Sequence, residues 1–196
     1  ARLRPRAVIA NLERWTLREL DLRREAASAS ELSEAMKGHA LYRVPGIDWD
    51  RTNGRVLTLE WIDGTKISEM DALRAAGHDF PDLARRLTLA FLTQAISAGF
   101  FHADMHQGNL FVQDDGTIAA IDFGIMGRID RRARQWLAEI LYGLTTGNYR
   151  RVAEIHFEAQ YVPSYHSVDE FATALRAVGE PMRGKAVSEL SVGQML

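Results

Sequence analysis

The chain has 196 residues, 46% of them hydrophobic, enough to bury the core of one domain or a large part of a two-lobed one. A formal net charge of -2, with 26% charged residues of mixed sign, gives no global sign of a nucleic-acid coat or a polybasic membrane anchor, so electrostatics must be argued locally. With no cysteine there is no disulfide, no thiolate nucleophile and no Cys-type zinc or iron–sulfur site.

Apolar residues at Val8, Leu12, Trp15 and Leu22 recur at roughly helical spacing and predict a helix from about Ala7 to Met36, ended by Gly38. The chain begins at Ala1 rather than Met and stops at Leu196 without a capping signal, so it reads as a fragment. A turn-rich Asp50-Arg51-Thr52-Asn53-Gly54 run precedes a predicted strand from Val56 to Ile62, and a short strand around Leu41 to Val44 is expected to pair with it as a hairpin. Asp63-Gly64 breaks that strand. A short helix near Asp71 to Ala76 follows, then a longer one from about Pro81 to Ala98, apolar on both faces and therefore expected to be buried. The stretch from Leu87 to Phe101 is interrupted by Thr88, Thr93, Gln94 and Ser97 and is too short to span a bilayer. Beyond Gly99 come a loop, a strand at Leu110 to Val112, the turn Asp114-Asp115-Gly116 and a strand at Thr117 to Ile121. The remainder reads as helical, with Asp130 as the N-cap of the next helix.

The chemistry concentrates in Phe101-His102-Ala103-Asp104-Met105-His106-Gln107-Gly108-Asn109, followed after the hairpin by Asp122-Phe123-Gly124. One Asp, an Asn five residues later, then Asp-Phe-Gly is the order found in kinases. Phosphoryl transfer needs hard oxygen ligands that hold Mg²⁺ against the phosphates and a carboxylate beside the attacking nucleophile. Asn109 and Asp122 fit the metal-ligand role, and Asp104 fits the catalytic loop, where it can orient or deprotonate a hydroxyl or water. The competing reading is that Asp104 and Asn109 cap turns and Asp122 ends a strand. His102 and His106, four apart, have the spacing of zinc ligands on a helix, but Gly99 and Gly108 argue against a helix there and Ala103 stands where a zinc protease keeps its Glu. Glu19, Asp21 and Glu25 are assigned to the first helix, where a Glu that pairs with a phosphate-binding lysine and a solvated acidic face paired with Arg18, Arg23 or Arg24 remain equally open.

These motifs resemble the UbiB family of atypical kinases, also called ABC1 or Coq8-like, which supports ubiquinone biosynthesis. The resemblance rests on Glu19-Leu20-Asp21-Leu22-Arg23-Arg24-Glu25-Ala26, on Leu57-Thr58-Leu59-Glu60-Trp61-Ile62-Asp63-Gly64 and on the Phe-His-Ala-Asp loop. It implies an α+β, protein-kinase-like fold with a partial N-lobe (helix plus hairpin) over residues 1–62 and a mostly helical C-lobe over 63–196. It further implies ATP and Mg²⁺ as cofactors, Glu25 as the lysine-pairing residue, Glu19 and Asp21 as the family's helix motif, and Glu60, Trp61 and Ile62 as the backbone that meets adenine. Implied partners are quinone-pathway lipid intermediates or enzymes, and the implied place is the cytoplasmic side of a bacterial inner membrane, reached through segments outside this chain. The family's nucleotide loop and strand Lys are expected before Ala1, so this stretch alone is expected to be inactive. Met105 and Gln107 depart from the Pro residues many members carry beside the His.

The few residues between Gly124 and Asp130 leave no room for a long activation segment, and Ala103 stands where protein kinases keep an Arg. Both features favour ATP hydrolysis or a small or lipid-like acceptor over a protein substrate. An aminoglycoside- or choline-type phosphotransferase and a non-catalytic pseudokinase scaffold are the alternatives. No dinucleotide Gly motif, haem ligand set or facial metal triad supports a hydroxylase.

Overall fold

The computed structural model describes Ile9 and residues 20–184. The chain forms two compact units, Ala1–Arg128 and Ile129–Leu196.

In the first unit, helix α1 covers Leu22–Ala35. The expected unbroken helix is interrupted ahead of it, because Asp21 is extended (φ -94, ψ 91) and serves as N-cap, its side chain accepting from Arg23 N. An Asp side chain competes for the backbone in this way, and here Leu22 N is also drawn off to Gly54 O at 3.3 Å. Asp21 therefore stands at the end of the helix rather than within it. Glu19 and the rest of the expected first turns lie outside the described residues. At the other end Gly38, at φ 85, sits in the turn after the cap at Met36, close to the expected stop.

Strand β1 is Tyr42–Arg43, β2 is Thr65–Lys66, and helices α2 (Met70–Ala75) and α3 (Phe80–Leu92) follow. Helix α3 runs into a π-helical turn, Thr93–Ala98, ended by Gly99 in the left-handed region at φ 73. Strands β3 (Phe100–His102), β4 (Leu110–Val112), β5 (Ile118–Ala120) and β6 (Met126–Arg128) complete the unit. One sheet has the order β1-β5-β4-β2; β3 and β6 form a separate antiparallel pair.

The β4–β5 hairpin forms as expected, with Leu110 opposite Ala120. The proposed hairpin between Leu41–Val44 and Val56–Ile62 does not. Strand β1 instead runs parallel to β5, Tyr42 opposite Ile118. The 56–62 segment makes only the isolated bridges Ile47 to Leu59 and Asn53 to Val56, with Asp48 N on Thr58 O and Glu60 N on Gly46 O. Pro45 and Gly46 end β1 before it can reach that segment, and Asn53 turns its side-chain oxygen to the amides of Arg55 and Val56, holding a tight turn instead of a ladder. The pair β3–β6 was not anticipated, because three-residue strands carry too little periodicity to register.

Helix α3 buries one face, not two: Leu83 and Ala90 are buried while Leu89 and Phe91 are exposed. The core of the unit brings Ala29, Leu32 and Met36 of α1 against Tyr42, Ala90, Phe100, Leu110, Ile118, Ala120 and Phe123. Gly127 permits close pairing of β6 with β3, since a Cβ there would lie 2.3 Å from the Phe101 ring.

The second unit is helical, as expected: α4 (Arg131–Thr146), α5 (Tyr149–Glu158) and α6 (Val168–Gly179). Asp130 caps α4 by accepting from Ala133 N at 2.8 Å. Arg151 binds Glu139 and Glu158, joining α4 to α5. No helix among the described residues is long and apolar enough to cross a membrane.

Candidate functional site

The site is built where β3 ends, where β4 begins and where β5 ends. Ile121 N donates to Asn109 O at 3.1 Å, so Asn109 lies across the hairpin from Ile121 and next to the following residue, Asp122. Asn109 is 8% exposed, and its Nδ2 donates to Asp104 O at 3.4 Å. The hairpin thereby brings Asp104, Asn109 and Asp122 to one end of one sheet.

The side chains divide their polar atoms in a way that suits a cation. With Nδ2 turned to Asp104 O, Asn109 Oδ1 is the atom that could face a cation. Asp122 is exposed and accepts from Gly124 N through Oδ1 at 3.0 Å, which fixes its carboxylate in a local turn. Among the described residues no three His, Asp or Glu converge on a metal position. Two oxygen ligands are what Mg²⁺ commonly takes from protein when phosphates and water supply the rest, so the donor set fits that ion.

Asp104 is held by its backbone. Its amide donates to His102 Nδ1 at 3.1 Å, and its carboxylate is half-exposed, 3.7 Å from His106 Nε2. His102 is buried on β3, and burial pushes its imidazole toward the neutral form against the opposing influence of the Asp122 backbone and of the Asp122 and Asp104 charges. His106 Nδ1 accepts from Gly108 N at 3.0 Å. One histidine is on a strand and the other in a turn, each with Nδ1 bound to a backbone amide, so they do not share the helix face that paired zinc ligands need.

Behind the site, Phe123 is fully buried and its amide donates to Glu25 Oε1 at 3.1 Å. Helix α1 is tied a second time by Glu31, whose two oxygens receive Arg128 Nη1 and Nη2 at 2.6 and 2.5 Å. Arg128 also lies over the Phe100 ring, 4.2 Å from its centroid. Its guanidinium holds the Glu31 carboxyl below its usual value. Between α1 and β6 opens a cleft of about 990 Å³ whose lining includes Asp21, Glu25, Phe100, Ile125 and Arg128.

Other sequence candidates sit elsewhere in the unit. Asp21 is bound to Arg23, whose guanidinium lowers its pKa. Glu60 pairs with Arg43 and accepts from Gly46 N at 3.2 Å; Trp61 is 87% exposed and Ile62 is buried. Sequence reasoning did not single out Gln94, Glu31 or Arg128. A polar Gln within the apolar 87–101 stretch was the available signal for the first; a pair 97 residues apart left none for the others.

A family model described as ABC1 atypical kinase-like domain matches residues 1–156. Among solved structures, the chain is similar to the Rv3197–erythromycin complex from Mycobacterium tuberculosis, with a TM-score of 0.65 and 25% identity over 92% of this chain and 47% of that one. The chain thus spans about half the length of that relative. The mixed α+β, kinase-like fold that the resemblance implied agrees with the family match and with this structural neighbour.

Proposed function

The chain belongs to the ABC1 atypical kinase-like family, and on that premise we propose that it is the catalytic-loop and metal-binding part of a UbiB-like ATPase or small-molecule kinase that supports ubiquinone biosynthesis. The observation that carries this reading is the convergence of Asp104, Asn109 and Asp122 through the Ile121–Asn109 and Asn109–Asp104 hydrogen bonds.

In this reading Asn109 Oδ1 and the Asp122 carboxylate hold Mg²⁺, which neutralises the nucleotide phosphates when bound. Asp104 orients the attacking water or hydroxyl and takes its proton. Glu25 is the lysine-pairing residue, and its contact with Phe123 N keeps α1 registered on the Asp122 loop. Glu60, Trp61 and Ile62 offer backbone to adenine, Asp21 caps α1, and Glu19 belongs with it to the family's helix motif.

Two features favour a small or lipid-like acceptor, or water, over a protein. Residues 126–128, one residue beyond Gly124, are bound into the β3–β6 pair, and α4 begins at Arg131. Ala103 offers no guanidinium to a phosphorylated segment. Quinone-pathway lipid intermediates or enzymes are the proposed partners, met at the cytoplasmic face of a bacterial inner membrane. Titration of the full-length protein with ATP at varied Mg²⁺ tests the proposal: Mg²⁺-dependent binding that weakens at least tenfold in Asp122→Asn supports it, and equal binding in parent and variant refutes it.

A further inference from the structure

Gln94 is 0% exposed, and its Nε2 faces only the Tyr42 hydroxyl, without a well-formed hydrogen bond to any described residue. An apolar side chain of the same volume would fill the position without the cost of desolvating an amide. What the amide supplies is its oxygen. Oε1 accepts from His102 N at 3.0 Å, a fully buried bond that links the π-helical turn to β3.

The π-helical turn makes that reach available. Gly99 N donates to Gln94 O at 2.8 Å, a bond over five residues that inserts an extra residue in the turn leading from Gln94 to β3. His102 passes the constraint on, because its Nδ1 receives the Asp104 amide at 3.1 Å. Gln94 thus fixes the backbone of His102, and the His102 ring fixes the backbone of Asp104. Tyr42, on β1, supplies the far wall, its buried hydroxyl beside Gln94.

We infer that Gln94 is a positioning residue of the catalytic loop, setting the placement of Asp104 through His102 without touching nucleotide or acceptor. The inference rests on the functional reading above for its effect on turnover, and on the geometry alone for its effect on the loop. Losing Oε1 leaves the His102 amide buried and unpaired, and the end of β3 shifts to recover a partner. A displacement of the reacting carboxylate by an ångström is enough to cost about a hundredfold in rate.

The test compares Gln94→Met, which keeps volume and removes the acceptor, with Gln94→Glu, which keeps Oε1 on a carboxyl that burial holds neutral. Both are made in the full-length protein, with amide hydrogen exchange and steady-state ATP turnover as readouts. In Gln94→Met, exchange at residues 102–105 is expected to accelerate at least about tenfold while residues 131–158 stay unchanged. Its kcat is expected to fall at least about tenfold with KM for ATP within about threefold of the parent, and Gln94→Glu is expected to retain both the protection and the rate. Unchanged exchange at 102–105 in Gln94→Met overturns the inference, as does equal loosening of the whole chain in both variants, or a KM change as large as the kcat change. A parent that neither binds nor hydrolyses ATP defeats the functional reading instead, and the exchange comparison then decides the role of Gln94 by itself.

Discussion

Phe123 and Glu25 are 98 residues apart in sequence, and the Phe123 amide donates to Glu25 Oε1 at 3.1 Å. The bond couples helix α1 to the loop that carries Asp122, so a change in the helix is felt at the residue proposed to bind Mg²⁺. Replacing Glu25 by Ala removes the acceptor and leaves the amide beside a fully buried Phe123 ring. Glu25→Ala is expected to cost about 1–3 kcal/mol in urea unfolding and to weaken Mg²⁺–nucleotide binding. Glu25→Gln keeps an acceptor oxygen and is expected to lose less stability than Glu25→Ala; equal losses in the two variants contradict the assigned bond.

The Phe123 ring itself packs with Leu32, Met36 and Leu110 in the core of the first unit. Phe123→Ala is expected to destabilise by about 3–5 kcal/mol through lost burial and the cavity left behind. Phe123→Leu, which refills most of that space, is expected to cost less than half as much. Chemical denaturation of both variants measures the difference.

Glu31 and Arg128 form a bidentate pair, but both side chains are substantially exposed, which keeps its worth small. Arg128→Ala is expected to cost about 0.5–1 kcal/mol at low salt, and part of that loss should persist in 1 M salt at about 3 Å screening length because the stack on Phe100 is not an ion pair. A loss that disappears completely at high salt would assign the whole effect to charge.

The Tyr42 phenol is raised by burial, with the Gln94 amide opposing the shift. Above about pH 10 the unfolded chain releases this proton while the folded chain keeps it, so the unfolded state binds fewer protons and stability falls as pH rises. Tyr42→Phe is expected to flatten the alkaline limb of the stability profile between about pH 10 and 11. An unchanged slope in the variant argues that the hydroxyl is solvated.

What the sequence made legible is what short-range spacing encodes. Asp104, Asn109 and Asp122 stand out because the hairpin between them is announced by Asp114-Asp115-Gly116, and Gly99 and Asp130 mark helix ends by residue type. Partnership over distance was hidden. The parallel pairing of Tyr42 with Ile118 depends on a crossover of more than seventy residues, and no local pattern separates it from the hairpin expected with residues 56–62. The break at Asp21 was masked because an N-cap Asp inside an apolar-periodic run reads as one more exposed helical residue. Gln94 was visible only as an interruption of an apolar stretch; its bond to His102 joins a π-helical turn to β3, and no residue type announces either.

The central claim is that Asp104 acts on the reacting group while Asp122 holds the ion, and the same ATP assay separates them. In the full-length protein, Asp104→Asn is expected to bind Mg²⁺–ATP within about threefold of the parent and to lose at least about a hundredfold in kcat. Turnover that survives in Asp104→Asn at the parent rate, with nucleotide binding intact, would contradict the account.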